Sequence, residues 1–174
     1  MVRNCVDISR ATDVFCIRLG NVLGLRESVI PLWEHQKNNQ KYIQLTDKRM
    51  TRFIVTEDEV YRLIEYALRY GKNGEIVTSS INACNIFDLA KTFCKHYGLK
   101  ENSVRVTGIG RGEKLYEELL SLEETSFIYE RDGFFHIRLN KQISKVLYPR
   151  RSDECDLLNS SELDEILNRN RLYE

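Results

Sequence analysis

Two loops in this 174-residue chain carry the residue types that hold an anion. Gly20 to Ser28 and Gly108 to Glu113 each follow a strand-like run, contain glycines and place an arginine, Arg26 or Arg111, close to the start of an expected helix. Glycine lets backbone N–H groups approach a phosphate, and a helix amino terminus adds about half a positive charge. The same composition suits an ordinary glycine-bearing turn, so spacing alone leaves both readings open. A third arginine, Arg52, stands between Thr51 and Phe53 in a strand-like run. It is expected either to snorkel from a sheet edge or to face a ligand. The first loop lies between the apolar run Val14-Phe15-Cys16-Ile17 and a helix-like segment, and α/β sheets place ligands at the carboxyl ends of their strands. It is therefore the first candidate binding site.

The elements that must position these loops follow from periodicity. Ser28 to Gln40 reads as a helix capped by Ser28, with Val29, Leu32, Trp33 and Gln36 along one side. Tyr42 to Thr46 and Arg52 to Thr56 read as strands joined through the turn Asp47-Lys48-Arg49. Thr56-Glu57-Asp58-Glu59 fits a capping box ahead of a helix carrying Val60, Leu63, Ile64, Ala67 and Leu68 and closed by Gly71 and Gly74. Glu75 to Thr78 is a strand, Ile86 to Tyr97 a helix with Leu89, Ala90, Phe93 and Tyr97 inward, and Ser103 to Thr107 a strand. A helix is expected from Lys114 to Leu120, a short strand around Phe134 to Arg138, a loop at Pro149-Arg150-Arg151 and a final helix from Ser160 to Asn168.

Composition narrows the partners. Lys plus Arg and Asp plus Glu both number 26, giving a formal net charge of +0, so no global field favours nucleic acid, and any bound anion must be held by a local pocket. Hydrophobic residues at 42% and charged residues at 30% read as a globular domain of ordinary size. No apolar run reaches the roughly 20 residues of a membrane helix and the first ten residues lack a signal-peptide core, so a cytoplasmic location is the default expectation. The cysteines at 5, 16, 84, 94 and 155 form no CxxC pair. They are read as reduced, mostly buried thiols, with no metal site.

Three motifs then carry a resemblance. Arg18 to Leu32, RLGNVLGLRESVIPL, resembles the R-Y-G-N-V-x-G-S-R-G-S-V-I-P-L signature of the capsular-polysaccharide type of UDP-N-acetylglucosamine 4,6-dehydratases, some of which are also 5-epimerases, within the extended short-chain dehydrogenase/reductases. LTDKRMTRFIVTEDE is similar to that family's T-D-x-x-M-T-R-F-x-x-T, and GRGEKLYEELLSLEE to its R-x-G-E-K-L-Y-E-x-L-L-x-x-E-E. The tail around Ser152 and Leu158, ahead of a last helix, is similar as well. The chain departs from the pattern at Leu19, Leu25 and Glu27, and at Gly110, where the family has arginine; Arg111 follows one place later.

The resemblance implies an α/β fold: the C-terminal portion of a Rossmann-type extended short-chain dehydrogenase/reductase, with the last parallel strands plus a small mixed substrate-binding subdomain and the dinucleotide-binding N-terminal half absent. It implies one sugar-nucleotide-binding domain over 1–174, with 1–27 and 75–98 as remnants of the Rossmann sheet, 28–74 and 99–148 as the substrate-binding part, and 149–174 as tail and helix. The implied substrate-binding residues are Asn21, Val22, Arg26, Ser28, Val29, Arg52, Arg111 and Glu113, with Asn21 and Arg52 toward the diphosphate and Glu113 toward the ribose hydroxyls. The plainer alternatives are Asn21 as a turn former, Arg52 as an ion-pair partner of Glu57 or Asp58, and Glu113 as a helix-start acid.

In the full-length family, NAD or NADP takes a hydride from C4 of the sugar, water is lost across C5 and C6, and the hydride returns to C6. The sequence has no G-x-x-G-x-x-G, and no Tyr-x-x-x-Lys pair stands ahead of the opening strand. No catalytic residue and no bound cofactor are therefore expected in this chain alone, and residues 1 to 12 are expected to be the tail of the helix that carries that pair. The expected function is the UDP-sugar-binding half of a nucleotide-sugar 4,6-dehydratase, inactive alone. Its partners would be UDP-N-acetylglucosamine or a relative, a separately encoded dinucleotide-binding half and, as an option, further copies of itself. The alternatives are a non-catalytic or truncated sugar-nucleotide-binding protein, or part of a UDP-sugar 4-epimerase.

Overall fold

The computed structural model describes residues 12–26, 28–138 and 150–170. The expectations for residues 1–11, Cys5, Glu27 and Pro149 lie outside these. The apolar run from Val14 yields β1 (Cys16–Ile17), which pairs in parallel with β5 (Ile76–Ser79). On the far side of β5 the sheet continues antiparallel through β10 (Phe134–Ile137) to β9 (Ile128–Arg131). A single strand is expected in this last region, but the chain makes a hairpin. Asp132 and Gly133 both adopt positive φ, 54° and 80°, the geometry a two-residue hairpin turn demands.

A second sheet, β2 (Asn21–Val22), β4 (Thr51–Val55) and β6 (Asn82–Asn85), is parallel between β2 and β4 and antiparallel between β4 and β6. β4 is thus central, which removes the sheet-edge reading of Arg52. The strands on either side of the Asp47 turn do not pair with each other. β3 (Ile43–Leu45) lies parallel to β7 (Val104–Val106) instead.

The expected helix from Lys114 to Leu120 is corrected: Glu118–Leu120 is β8, antiparallel to β11 (Arg150–Arg151), which also replaces the expected loop there. The reason is local. A helix would use the carbonyls of Lys114 and Leu115 for the amides of residues 118 and 119. Here Arg52 Nη2 donates to Lys114 O at 2.7 Å, and the Thr51 N–H donates to Leu115 O at 2.8 Å.

Among the described residues four α-helices pack on the strands: α1 (Val29–Gln40), α2 (Glu57–Tyr70), α3 (Ile86–His96) and α4 (Ser160–Arg169). In α1 the inward residues are Ile30, Trp33 and Gln36, whereas Leu32 is 52% exposed. In α2 Leu63, Tyr66 and Ala67 face inward and Leu68 is exposed, so the buried stripe is rotated toward the tyrosine. The main core joins Trp33, Ile43, Leu89, Phe93, Leu163 and Leu167, with Trp33 edge-on to Phe93 at 5.6 Å. α3 packs against α4 on one side and β3 and β6 on the other, as the inward stripe Leu89, Ala90 and Phe93 requires.

Glu75 is fully buried and accepts hydrogen bonds from Arg138 Nε at 2.6 Å, His136 Nδ1 at 3.0 Å, Tyr129 OH at 3.1 Å and the Lys72 N–H at 3.1 Å. Burial pushes its carboxyl up, but these donors outweigh it and hold the group below the ordinary 4.5. Glu124, paired with Arg18 at 2.7 Å, is held down in the same way.

Two outcomes follow for stability. The capping box of α2 is complete, with Thr56 and Glu59 each bonding the other's backbone N–H. Thr56→Ala should therefore cost about 1 kcal/mol in urea unfolding with an unchanged denaturant slope. Because Glu75 and Glu124 are depressed in the folded state, their stabilisation is present above about pH 4.5 and is lost as pH falls below it. Glu75→Gln should lower stability at neutral pH by about 3 kcal/mol and flatten that acid limb; an unchanged limb would show that Glu75 does not set it.

Candidate functional site

The three strands β2, β4 and β3 and the start of α1 line a half-open cavity of about 430 Å3. Its size is within the usual range of small-molecule sites. The first loop reaches it because Gly20 passes directly over β4: a Cβ at that position would lie 2.6 Å from Phe53 O. Only glycine permits that approach, and the next residue, Asn21, is thereby set at the cavity wall in register with Ile54. Gly24, at φ 82°, then turns the chain toward α1.

At the start of α1 the expected cap is altered. Ser28 is the N-cap by backbone conformation, but its hydroxyl makes no capping bond. An N-cap oxygen ordinarily accepts from the N–H of the second or third helical residue, and the third is Pro31, which has none. Among the described residues, Ser28 Oγ is buried without a hydrogen-bond partner, and Ser28 is one of the residues that line the cavity, beside Val29. A free hydroxyl beside the unpaired first-turn amides of a 12-residue helix is a donor set suited to phosphate oxygens.

Arg52 enters from β4 with a side chain only 15% exposed. Neither Glu57 nor Asp58 is its partner. Nη1 donates to Thr51 O at 2.7 Å and Leu115 O at 3.3 Å, Nη2 donates to Lys114 O at 2.7 Å, and Nε lies 3.6 Å from Glu117. The guanidinium thus holds the segment after Glu113 while lending its charge to the cavity. Its remaining contact, Nη2 to Met50 Sδ at 3.7 Å, is to a weak acceptor.

Glu113 is not a helix-start acid, since no helix follows it. Its Oε2 accepts from the Gly110 N–H at 2.6 Å and its Oε1 lies 3.5 Å from Thr46 Oγ1, so the carboxylate stands at the mouth beside β3. Of the eight sequence-predicted residues, Asn21, Val22, Ser28, Val29, Arg52 and Glu113 line the cavity. Arg26 and Arg111 are exposed on the two loops and are not part of its lining. The polar residues that sequence reasoning missed are Gln44 on β3 and Thr46 just after it, which line the cavity from a run read only as a strand.

A second tier holds these groups. Ser152 is fully buried; its Oγ accepts from the Glu117 N–H at 2.9 Å, shares a bond with Thr51 Oγ1 at 2.8 Å and lies 3.1 Å from Thr51 O. Cys84, in register with Arg52, has its thiol pushed up to about 12 by burial, so it is a neutral packing group rather than a nucleophile. Cys16, Cys94 and Cys155 are free as well, and no group of metal-binding side chains occurs among the described residues. No described helix is long and apolar enough to cross a membrane.

Comparison with known proteins gives the cavity a context. The family model of polysaccharide biosynthesis proteins matches residues 2–138. A UDP-glucose 4-epimerase of Rickettsia typhi is 35% identical over 133 residues, which is 76% of this chain and 39% of that protein. The capsular polysaccharide biosynthesis protein CapD of Staphylococcus aureus is 39% identical over 116 residues, 65% of this chain and 19% of CapD. The chain thus spans about two fifths or less of the length of these relatives. Among solved structures, Pen from Bacillus thuringiensis superposes with a TM-score of 0.89 at 27% identity, covering 98% of this chain and 55% of Pen. The dTDP-glucose 4,6-dehydratase DesIV of Streptomyces venezuelae, solved with NAD bound, superposes with a TM-score of 0.59 at 24% identity, over 66% of this chain and 37% of DesIV, and shares the fold.

Ser152→Ala should leave the Glu117 N–H and the Thr51 hydroxyl unpaired. A loss of about 1–3 kcal/mol and faster hydrogen exchange at the Glu117 amide are expected; an unchanged exchange rate would remove Ser152 from the support of this loop.

Proposed function

This chain belongs to the family of polysaccharide biosynthesis proteins, and we propose that it is the UDP-sugar-binding part of a nucleotide-sugar 4,6-dehydratase acting in polysaccharide or glycan precursor synthesis. The observation that carries the reading is the free donor set at the start of α1: Ser28 Oγ without a partner among the described residues, in a cavity shared with Asn21 and Arg52. In this reading Asn21, Ser28 and the α1 amides take the diphosphate, with Arg52 supplying positive charge, and Glu113 accepts from the ribose hydroxyls. The charge-assisted bonds from neutral donors to phosphate oxygens fix the nucleotide and so aim the sugar out of the cavity.

NAD or NADP would supply the hydride chemistry in the whole enzyme. Among the described residues no glycine-rich turn of the dinucleotide kind joins a strand to a helix. The contribution of these residues is to bind and orient substrate, and a dinucleotide-binding half, in the same polypeptide or in another, is the partner they call for. UDP-N-acetylglucosamine or a close relative is the proposed substrate.

A 4-epimerase is the second reading, favoured by the 35% identity to a protein named UDP-glucose 4-epimerase. Both place the same nucleotide in the cavity and differ in the fate of the sugar. With a dinucleotide half supplied, a dehydratase yields a product one water lighter by mass spectrometry, and an epimerase yields a product of unchanged mass.

Thermal unfolding with increasing UDP tests the shared claim. Once UDP is well above its dissociation constant, each tenfold rise should add about 1.4 kcal/mol of stability. Asn21→Ala should weaken UDP binding about tenfold, the value of one hydrogen bond to a charged group. Stabilisation that is the same in wild type and Asn21→Ala would place the nucleotide elsewhere.

A further inference from the structure

β3 has one paired edge and one open edge, and the open edge is closed by side chains. β7 satisfies one side, through bonds such as the Thr107 N–H to Leu45 O at 2.9 Å. On the other side Gln44 has an N–H and a carbonyl that no described strand meets. Trp33 Nε1 donates to Gln44 O at 2.8 Å, and the Gln44 N–H donates to Gln36 Oε1 at 2.8 Å.

The second bond fixes more than the backbone. A backbone N–H can only donate, so the end of the Gln36 amide that meets it must be the oxygen. The Gln36 NH2 then points the other way and donates to Gln44 Oε1 at 3.2 Å. Gln36 is buried, 6% exposed, so it cannot readily turn over. With its oxygen engaged, the Gln44 side chain has one group left, its amide NH2, and among the described residues this NH2 has no protein acceptor. Gln44 lines the cavity. The site is therefore offered a hydrogen-bond donor of defined polarity, set by a relay that starts at a main-chain amide.

Position indicates what this donor meets. The phosphate-binding groups stand on β2, at the N-cap of α1 and on β4. Gln44 stands on β3, beside the apolar wall of Val29, Leu32 and Trp33, further along α1. An apolar wall with one polar group beside it suits a planar base.

We infer that Gln44, with its amide oriented by Gln36, reads the nucleobase, and that its NH2 selects a pyrimidine with a 4-carbonyl oxygen over one with a 4-amino group. The inference rests on the reading that the cavity takes a UDP-sugar. A uracil carbonyl completes the relay, whereas the amino group of cytosine would set donor against donor. Gln44 is itself exposed, but a base seated over it shuts out water, and a donor left facing a donor in that contact costs affinity.

Calorimetric titration of the full 174-residue chain with UDP and CDP tests this, because the two differ only at the base. Wild type should prefer UDP at least tenfold. Gln44→Glu keeps an acceptor for Gln36 and presents a second acceptor to the cavity, so the UDP to CDP ratio should fall below one. Gln36→Leu frees the Gln44 amide to rotate, so the ratio should drop several-fold toward unity with UDP still bound. UDP binding with equal affinity for CDP, or a ratio unmoved by both substitutions, would overturn the assignment of Gln44 and leave the UDP-sugar reading standing. Binding of neither nucleotide would overturn that reading, and this inference with it.

Discussion

Short strands leave backbone N–H and C=O groups that no neighbouring strand can meet, and a buried group of that kind costs a few kcal/mol unless a side chain meets it. The sheets around the cavity have only two to five residues per strand, so this constraint governs the whole region. Trp33 and Gln36 close the open edge of β3; Arg52 takes the carbonyls of Lys114 and Leu115; Ser152 takes the Glu117 amide. Arg52 and Ser152 join pieces of chain far apart in sequence, whereas Trp33 and Gln36 tie α1 to the strand that follows it. The cavity is the space left between the pieces they join.

This dual use explains why the candidate site tolerates an irregular backbone. Glu113 lies in a segment without helix or strand, yet that segment is anchored immediately after it by Arg52 and turned by Gly112 at φ 84°. Asn21 is placed by the pass of Gly20 over Phe53. At α1, Pro31 lacks the amide that would have donated to the Ser28 oxygen, which leaves that buried hydroxyl without a partner among the described residues at the cost of an ordinary cap. Local rules are broken where a ligand would restore them, as expected at functional sites.

Much of this was legible in the sequence where the signal is local. The capping box at Thr56 and Glu59, the helix from Ile86, and the final helix after Asn159 all appear where caps and 3.6-residue spacing put them. The motif residues Asn21, Ser28, Arg52 and Glu113 come together in one cavity, although periodicity alone gives no means of bringing them there. The α/β fold, with its parallel β1–β5 and β2–β4 pairs, agrees with the expectation drawn from the resemblance. The expected helix at Lys114 failed because Leu115, Leu119 and Leu122 mimic a helical stripe, while the deciding partners, Arg52 and Arg150, lie far away in sequence. The Asp132-Gly133 turn is a local signal for the hairpin that replaces the single expected strand. Gln44 could not have been singled out, since its role depends on which way a neighbouring amide faces.

The central claim is that the cavity bounded by Asn21, Ser28, Gln44 and Arg52 receives a uridine diphosphate. Backbone amide chemical shifts followed by NMR during titration with UDP test it most directly. The account predicts saturable shifts concentrated at residues 20–30, 43–52 and 110–113, with the Val29 and Ile30 amides among the largest. Saturable shifts confined to another part of the chain, or none at millimolar UDP, would contradict it.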